Sequence, residues 1–189
     1  MKPILIIIGP SGVGKSSVIS SLRAKKRVEL VPTWTTRRPR SYEHENLADH
    51  VFVDADTFVK KEQQGYFMAC TSLFGLDYRY GLPDRCYWQG DGVHVVMLRA
   101  MLMEEITRYF SDYRIYQIEA PVQRVREHML HRKREEGDIG SRLDGFNKEV
   151  VLGRNIADRV IENDGHTEQT AEKIWSYICQ DFNLDEVVA

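Results

Sequence analysis

The sequence predicts an α/β fold of three layers, in which a parallel core sheet is covered by helices on both faces. Short, continuously apolar runs alternate with amphipathic helical stretches, and such runs are typical of strands that are buried on both faces. No repeat, low-complexity tract or Pro/Ser-rich linker divides the 189 residues. We therefore expect a single globular domain.

The apolar runs give five predicted core strands, and two stripes at helical spacing give predicted helices. The strands are expected at residues 4–8, 28–31, 93–98, 115–118 and 160–161. The stripes are Val18, Ile19 and Leu22 after the first strand, and Ile174, Trp175, Ile178 and Phe182 near residue 180. Both stripes are expected to pack against the sheet as part of the core.

Two segments break this alternation. Residues 35–88 are rich in Arg, Tyr, Asp, Gly and Pro, with a short aromatic strand expected at 51–53, and are predicted to form an insertion on the sheet. Residues 132–142 begin with a charged run and contain two glycines, as expected of a mobile lid. The core would then consist of residues 1–34, 89–131 and 143–189.

Composition narrows the function classes. The formal net charge is only −2, so no overall charge favours nucleic acid or an acidic membrane as a partner. Cys70, Cys86 and Cys179 lack metal-ligand spacing and are odd in number, which indicates a reducing compartment. The apolar run at 4–8 is too short for a membrane span. We expect a cytoplasmic protein, and the sequence does not indicate an oligomeric state.

A phosphate-binding motif follows the first predicted strand and precedes the first predicted helix. Its residues are Gly9, Pro10, Ser11, Gly12, Val13, Gly14, Lys15 and Ser16, which fit the pattern G-x-x-x-x-G-K-[ST]. Glycines let backbone N–H groups turn inward around phosphate oxygens, and the helix N-terminus adds a partial positive charge. Lys15 is expected to reach the β and γ phosphates of ATP, and the Ser16 hydroxyl to bind Mg²⁺.

An arginine-rich run marks a second candidate phosphate site. Residues 35–40 read Thr-Thr-Arg-Arg-Pro-Arg, and Pro39 holds this segment extended. Guanidinium groups suit phosphate oxygens because they are always charged and bind in a bidentate manner. A solvated basic loop is the alternative reading of the same residues.

These pieces, in their order and spacing, resemble the guanylate kinase family of P-loop nucleoside monophosphate kinases, and the resemblance covers most of the chain. The matching segments are 9–17, 35–40, 49–53 with Phe58, Gly65-Tyr66-Phe67, Tyr80-Gly81, Ser141-Arg142-Leu143 and 160–164. The resemblance implies a P-loop NTPase fold with an acceptor-binding insertion and a lid. It also implies transfer of the γ-phosphoryl of ATP, with Mg²⁺, to a phosphate of a small acceptor.

The resemblance also implies roles for individual residues. Arg37 and Arg40 would hold the acceptor phosphate, and Tyr80 would donate its hydroxyl to it. Thr33 and His50 are counted with this substrate site, and Ser17 with the phosphate loop. Arg132 and Arg142 would come from the lid to neutralise the transferring phosphoryl group, and Asn163 would contact the adenine of ATP. Phosphoryl transfer depends mainly on positioning and positive charge, so no side-chain base is required.

The chain departs from the family where the family reads guanine. Ala69 stands in place of a glutamate, Leu98 and Ala100 replace the two acids of an Asp-x-Asp step, and Leu82 replaces a hydroxyl residue. A missing acceptor for a buried polar edge costs about 1–3 kcal/mol. We therefore expect weak recognition of GMP.

Three other functions stay open from the sequence. His50 and the Tyr-Gly-Leu-Pro run at 80–83 resemble the bacterial ribose 1,5-bisphosphate phosphokinases, whose acceptor has no base, and another phosphorylated metabolite is a related choice. A non-catalytic phosphopeptide-binding module would be expected to have a degraded phosphate loop. A P-loop nucleotidase would leave the acceptor-type arginines unexplained.

Overall fold

A computed structural model describes residues 2–24, 28–39, 49–72, 77–131 and 145–185, with the side chains of residues 128–131 left out. The strands are β1 (Ile4–Ile8), β2 (Val28–Val31), β3 (Thr33–Thr35), β4 (His50–Phe52), β5 (Phe67–Ser72), β6 (Arg79–Pro83), β7 (Val93–Met97), β8 (Tyr113–Glu119) and β9 (Arg159–Glu162). The helices are α1 (Lys15–Leu22), α2 (Ala55–Gln63), α3 (Met103–Ile106), α4 (Val122–His131), α5 (Phe146–Ile156) and α6 (Thr167–Asp181).

The core is a five-stranded parallel sheet in the order β2-β7-β1-β8-β9. All five residues of β1 are fully buried, as expected for a central strand covered on both faces. Leu5 and Ile7 point into one apolar cluster, and Ile4, Ile6 and Ile8 point into another on the opposite face. The predicted three-layer α/β fold with a parallel core sheet is therefore confirmed.

Helices α1 and α6 cover one face of this sheet and contact each other. Their buried side chains include the stripes expected from the sequence, since Val18, Ile19, Leu22, Ile174 and Ile178 all lie in one apolar cluster. Burying an aliphatic side chain of this size contributes about 1.5–3 kcal/mol to folding. The stripes are core residues, as predicted.

A second sheet has the order β4-β3-β6-β5, in which β3 pairs in parallel with β4 and antiparallel with β6. Only Pro32 separates β3 from core strand β2, so the chain passes directly from one sheet to the other. Helix α2 packs on this sheet, where Phe58 stacks on Phe67 with ring centroids 4.7 Å apart. The Asp54 side chain accepts a hydrogen bond from the Thr57 N–H at the start of α2.

The predicted aromatic strand at 51–53 is β4, displaced by one residue. The division into core, insertion and lid stays a prediction, and the predicted lid lies outside the described residues. Within the parts of the chain that the structure covers, every helix is too short or too polar to cross a membrane.

Candidate active site

The phosphate loop connects the end of β1 to the start of α1 and is closed from behind by the core sheet. Gly9 has a φ of +141°, and a Cβ at this position would lie 2.2 Å from the Ile118 carbonyl oxygen of β8. Gly14 has a φ of +91°, and a Cβ there would meet the Asn163 side chain at 2.4 Å. A side chain at either position would be strained and would collide with the neighbouring residue, so the loop requires glycine there.

Lys15 begins α1 and bends back over the loop. Its Nζ donates hydrogen bonds to the carbonyl oxygens of Gly9, at 2.6 Å, and Pro10, at 2.8 Å. The first turn of α1 contains no acidic residue that would offset the positive end of the helix. The ammonium group and the helix N-terminus therefore concentrate positive charge at the loop, which fits a polyphosphate.

Ser16 and Ser17 are exposed in the first turn of α1. A hydroxyl is a suitable oxygen ligand for Mg²⁺, and the metal-binding role expected for Ser16 stays a prediction. Among the described residues, no three His, Cys, Asp or Glu side chains come together as a metal-binding group. A Mg²⁺ ion at this loop would thus rely on Ser16, phosphate oxygens and water.

Asn163 supports the loop from inside. Its side chain is 2% exposed, and its Nδ2 donates to the Val13 carbonyl oxygen at 2.8 Å. Its Oδ1 accepts from the Gly165 N–H and the Thr170 hydroxyl. The amide is thus occupied in holding the loop, and the adenine contact expected for Asn163 stays a prediction.

We expect Asn163→Ala to lower the free energy of unfolding by about 1–3 kcal/mol, because the buried Val13 carbonyl would lose its partner. Chemical denaturation measures this change. Asn155→Ala, at an exposed position of α5, is the matched control and should change stability by less than about 0.5 kcal/mol. Equal effects of the two substitutions would contradict the supporting role of Asn163.

The acceptor-side residues share one face of the second sheet. Thr33 is paired with His50 across β3 and β4, and Thr35 with Tyr80 across β3 and β6, so these side chains point the same way. The Thr33 hydroxyl and His50 Nδ1 are hydrogen bonded at 2.6 Å. The rings of His50 and Tyr80 are 6.1 Å apart. The structure thus brings Thr33, His50 and Tyr80 together.

Arg37 extends this polar face. Its guanidinium lies over the Phe52 ring, 5.1 Å from the centroid, and Phe52 in turn packs against His50. Its backbone N–H donates to the Thr35 hydroxyl at 3.1 Å, and Nη1 donates to the Arg38 carbonyl at 2.9 Å. Arg37 is therefore held over Phe52 by its neighbours, and its phosphate-binding role stays a prediction. Arg40, Arg132 and Arg142, also predicted for the site, lie outside the described residues.

A small pocket lies between the second sheet and the end of β7. Ala69, Leu82 and Leu98, three of the positions that depart from the family pattern, line it, whereas Ala100 is buried in the core. Glu105 is the one acidic residue among the described residues that line the pocket. The neighbouring thiol is neutral at physiological pH, because burial, with Glu62 nearby, raises the pKa of Cys70 to about 11.

The sequence reading missed a pair of charged residues at the carboxyl edge of the core sheet. Arg99 follows β7, and its Nη2 lies 2.6 Å from Glu149 Oε2 on α5. Burial raises the pKa of the Glu149 carboxyl, while the charges of Arg99 and Lys15 oppose that shift. The sequence contains one signal for this pair. Arg99 lies between Leu98 and Ala100, the two positions at which the family pattern has an acid.

The strand, glycine loop and helix beside a parallel sheet are the arrangement of the P-loop class of α/β folds. Within that class, residues 1–81 match the family model described as guanylate kinase, which confirms the predicted family resemblance over this part of the chain. A crystal structure of guanylate kinase from Anaplasma phagocytophilum superposes with a TM-score of 0.68 and 22% identity. That match covers 98% of this chain and 88% of that one. It confirms the fold.

Curated relatives match a stretch of similar length. The guanylate kinase of Sphingopyxis alaskensis is 37% identical over 81 residues, which are 42% of this chain and 36% of that protein. The guanylate kinase of Alkalilimnicola ehrlichii is 38% identical over 74 residues, 39% of this chain and 36% of that protein. The chain thus spans little more than a third of the length of these relatives. The part that the family model matches, residues 1–81, contains the phosphate loop and Thr33, Arg37, His50 and Tyr80.

Proposed function

We propose that this protein is an ATP-dependent phosphotransferase of guanylate kinase type. It transfers the γ-phosphoryl of ATP to the phosphate of GMP or dGMP. The observation that carries this proposal is the complete phosphate loop, in which Gly9 and Gly14 allow the close turn against Ile118 and Asn163, and Lys15 begins a helix free of acidic residues in its first turn. The proposal includes Mg²⁺ and the cytoplasmic location that the cysteine usage predicts.

The chain's own residues bind, orient and neutralise. ATP supplies the phosphoryl group, and Mg²⁺ offsets the charge of the polyphosphate. Lys15 turns from the Gly9 and Pro10 carbonyls to the β and γ phosphates, where its charge stabilises the transition state. Ser16 offers its hydroxyl to the metal. An oxygen of the acceptor phosphate is itself the nucleophile, so the acceptor-side residues need only hold it in line.

On the acceptor side, Arg37 and Tyr80 bind the phosphate, and the hydrogen bond between the Thr33 hydroxyl and His50 Nδ1 fixes the His50 ring near Tyr80. By family resemblance, Arg40 belongs to the same site, and Arg132 and Arg142 neutralise the transferring group. These three roles are part of the proposal. Closure over the site would exclude water and so favour transfer over hydrolysis.

The likeness to proteins named guanylate kinase over residues 1–81 favours GMP over ribose 1,5-bisphosphate as acceptor. The complete phosphate loop argues against a non-catalytic binding module, in which this loop would be expected to be degraded. An assay of ADP release with GMP, dGMP, the other nucleoside monophosphates and ribose 1,5-bisphosphate tests the choice. We expect release above background with GMP and dGMP. No release with any acceptor would overturn the enzyme, and release with ribose 1,5-bisphosphate alone would overturn the guanine acceptor.

Glu105 is the residue that we expect to read the base. Guanine presents N–H donors at N1 and at the 2-amino group, and a carboxylate is the matching acceptor. The positions that would otherwise supply acids are Ala69 and Ala100, whereas Glu105 lines the pocket. Glu105→Gln should raise KM for GMP about 10-fold, since hydrogen bonds to a charged group contribute about 1.5–3 kcal/mol. KM for ATP should not change.

Glu104→Gln is the matched control for this prediction. Glu104 is the adjacent residue on α3, is exposed, and does not line the pocket. Steady-state kinetics with GMP varied at saturating ATP compares the two variants. The same KM for GMP in both would show that Glu105 does not read the base.

A further inference from the structure

The Arg99–Glu149 pair lies beside the phosphate loop. The N–H of Leu98 donates to the Ile7 carbonyl at 3.0 Å, so Arg99, the next residue, stands at the carboxyl end of β7 next to the point where β1 enters the loop. Helix α5, which carries Glu149, packs against the short turn at Ala100–Leu102. The 2.6 Å contact between Arg99 Nη2 and Glu149 Oε2 joins these two elements.

One oxygen of Glu149 is unused. The side chain is only 10% exposed, and within the described residues its Oε1 is buried with no hydrogen-bond partner. Leaving a buried carboxylate oxygen unsatisfied is costly, and in native proteins such an atom commonly marks a water or ion site. The charge of Lys15 also acts on this carboxylate. Glu149 is therefore within electrostatic reach of the phosphate loop.

The other acids at described strand ends differ from Glu149. Glu119, which ends β8, is bound by Arg154 and Gln117, and Glu162, which ends β9, is exposed. Residue 98 is leucine, 8% exposed and packed in an apolar cluster. Mg²⁺ at a nucleotide usually keeps several of its waters, and these waters need hydrogen-bond acceptors on the protein. Around this loop, Glu149 is the described carboxylate that combines burial, an unused oxygen and electrostatic contact with Lys15.

We propose that Glu149 is the outer-shell acceptor of the magnesium–nucleotide site, with Oε1 accepting a hydrogen bond from a water on Mg²⁺. Arg99 binds the other oxygen and fixes the orientation of the carboxylate. Glu149 is thus a positioning residue that acts through water. This inference rests on the proposed nucleotide binding, and it explains how a site with leucine at position 98 provides an acid to the metal.

The test is ADP binding, measured by calorimetry without Mg²⁺ and over a series of Mg²⁺ concentrations, for wild type and Glu149→Gln. The glutamine oxygen can still accept from Arg99, which leaves an N–H₂ donor facing the site. We expect the variant to bind metal-free ADP as wild type does. The Mg²⁺ concentration for half-maximal tightening should rise about 10-fold or more, the range found when outer-shell partners of a metal are removed.

Glu168→Gln, an exposed acid on α6, is the matched control and should behave as wild type. Thermal unfolding shows whether Glu149→Gln folds. If it does not, Glu149→Asp replaces it, because the shorter side chain keeps the charge but moves the carboxylate away from the site. The same rise in the required Mg²⁺ concentration is expected for Glu149→Asp. An equal loss of ADP affinity with and without Mg²⁺, or no change at all, would overturn the role of Glu149 alone. Failure of wild type to bind ADP under any condition would overturn the proposed function together with it.

Discussion

Lys15→Ala is expected to lower kcat about 100-fold or more, the loss found when one preorganised donor to the transition state is removed. In the structure the ammonium is held over the loop by the carbonyl oxygens of Gly9 and Pro10. It therefore needs only to turn to reach a phosphate whose negative charge is being redistributed. The substitution removes that charge without leaving a buried cavity, because the side chain is only partly buried.

Single-turnover and steady-state assays with the acceptor identified by the ADP-release panel measure this effect. Lys60→Ala, at an exposed position of α2, is the matched control and should retain wild-type kcat. The melting temperature of Lys15→Ala should stay close to that of wild type. Near wild-type turnover of Lys15→Ala would show that Lys15 has no part in the mechanism. Another group of the protein would then have to stabilise the transferring phosphoryl group.

Gly9→Ala is expected to destabilise the fold by about 3 kcal/mol or more, at the upper end of overpacking effects. The added Cβ would lie 2.2 Å from the Ile118 carbonyl oxygen, and that atom belongs to the backbone of a central strand. The φ of +141° adds strain that no L side chain relieves. Either the strand or the loop must shift, and a shift in the loop would also weaken nucleotide binding.

Gly65→Ala measures the backbone strain of a positive φ without a steric collision. Gly65 also has a positive φ, +68°, but a Cβ there would meet no atom within 4 Å. This variant should lose only the cost of the left-handed conformation, roughly 1–2 kcal/mol. Urea unfolding of both variants gives the difference, which combines the collision with Ile118 and the less favourable φ of Gly9. Equal losses would mean that the loop moves away from β8 at little cost.

The core sheet could be predicted because its strands are continuous aliphatic runs, a pattern that depends only on neighbouring residues. The predicted ends of the strands were less accurate, for a physical reason. Leu98 is apolar and was included in a strand, yet β7 ends at Met97, while β8 extends through the polar residues Tyr113 and Glu119. Apolarity reports burial, whereas a strand end is determined by backbone pairing.

The second sheet was mostly missed because its strands show neither buried runs nor clean alternation. All but one residue of β5 is partly buried, and the register shifts between Phe67 and Ala69. Pro83 ends β6, and the three residues of β3 are too few to show a period. These strands depend on each other and on α2 for their stability, which a single-segment pattern does not contain.

Within the candidate site, the phosphate loop could be predicted because all of its functional residues lie in eight consecutive positions. The partners of Glu149 and Asn163 are far away in sequence, so no spacing could indicate them. The same holds for Glu105, which lines the pocket together with residues of β3, β5 and β6 that are far away in sequence. The roles predicted for Arg37, Tyr80 and the other acceptor residues await the kinetic tests above.

The wholly apolar β1 also has a consequence for biosynthesis. Ile4 pairs with His94 in β7 and Tyr113 in β8, so the ribosome completes the central strand long before either neighbour exists. Until residue 113 has been made, five adjacent aliphatic residues have only incomplete cover, a situation that promotes aggregation. We expect truncated chains that stop before β7 to be recovered mainly in inclusion bodies or bound to chaperones.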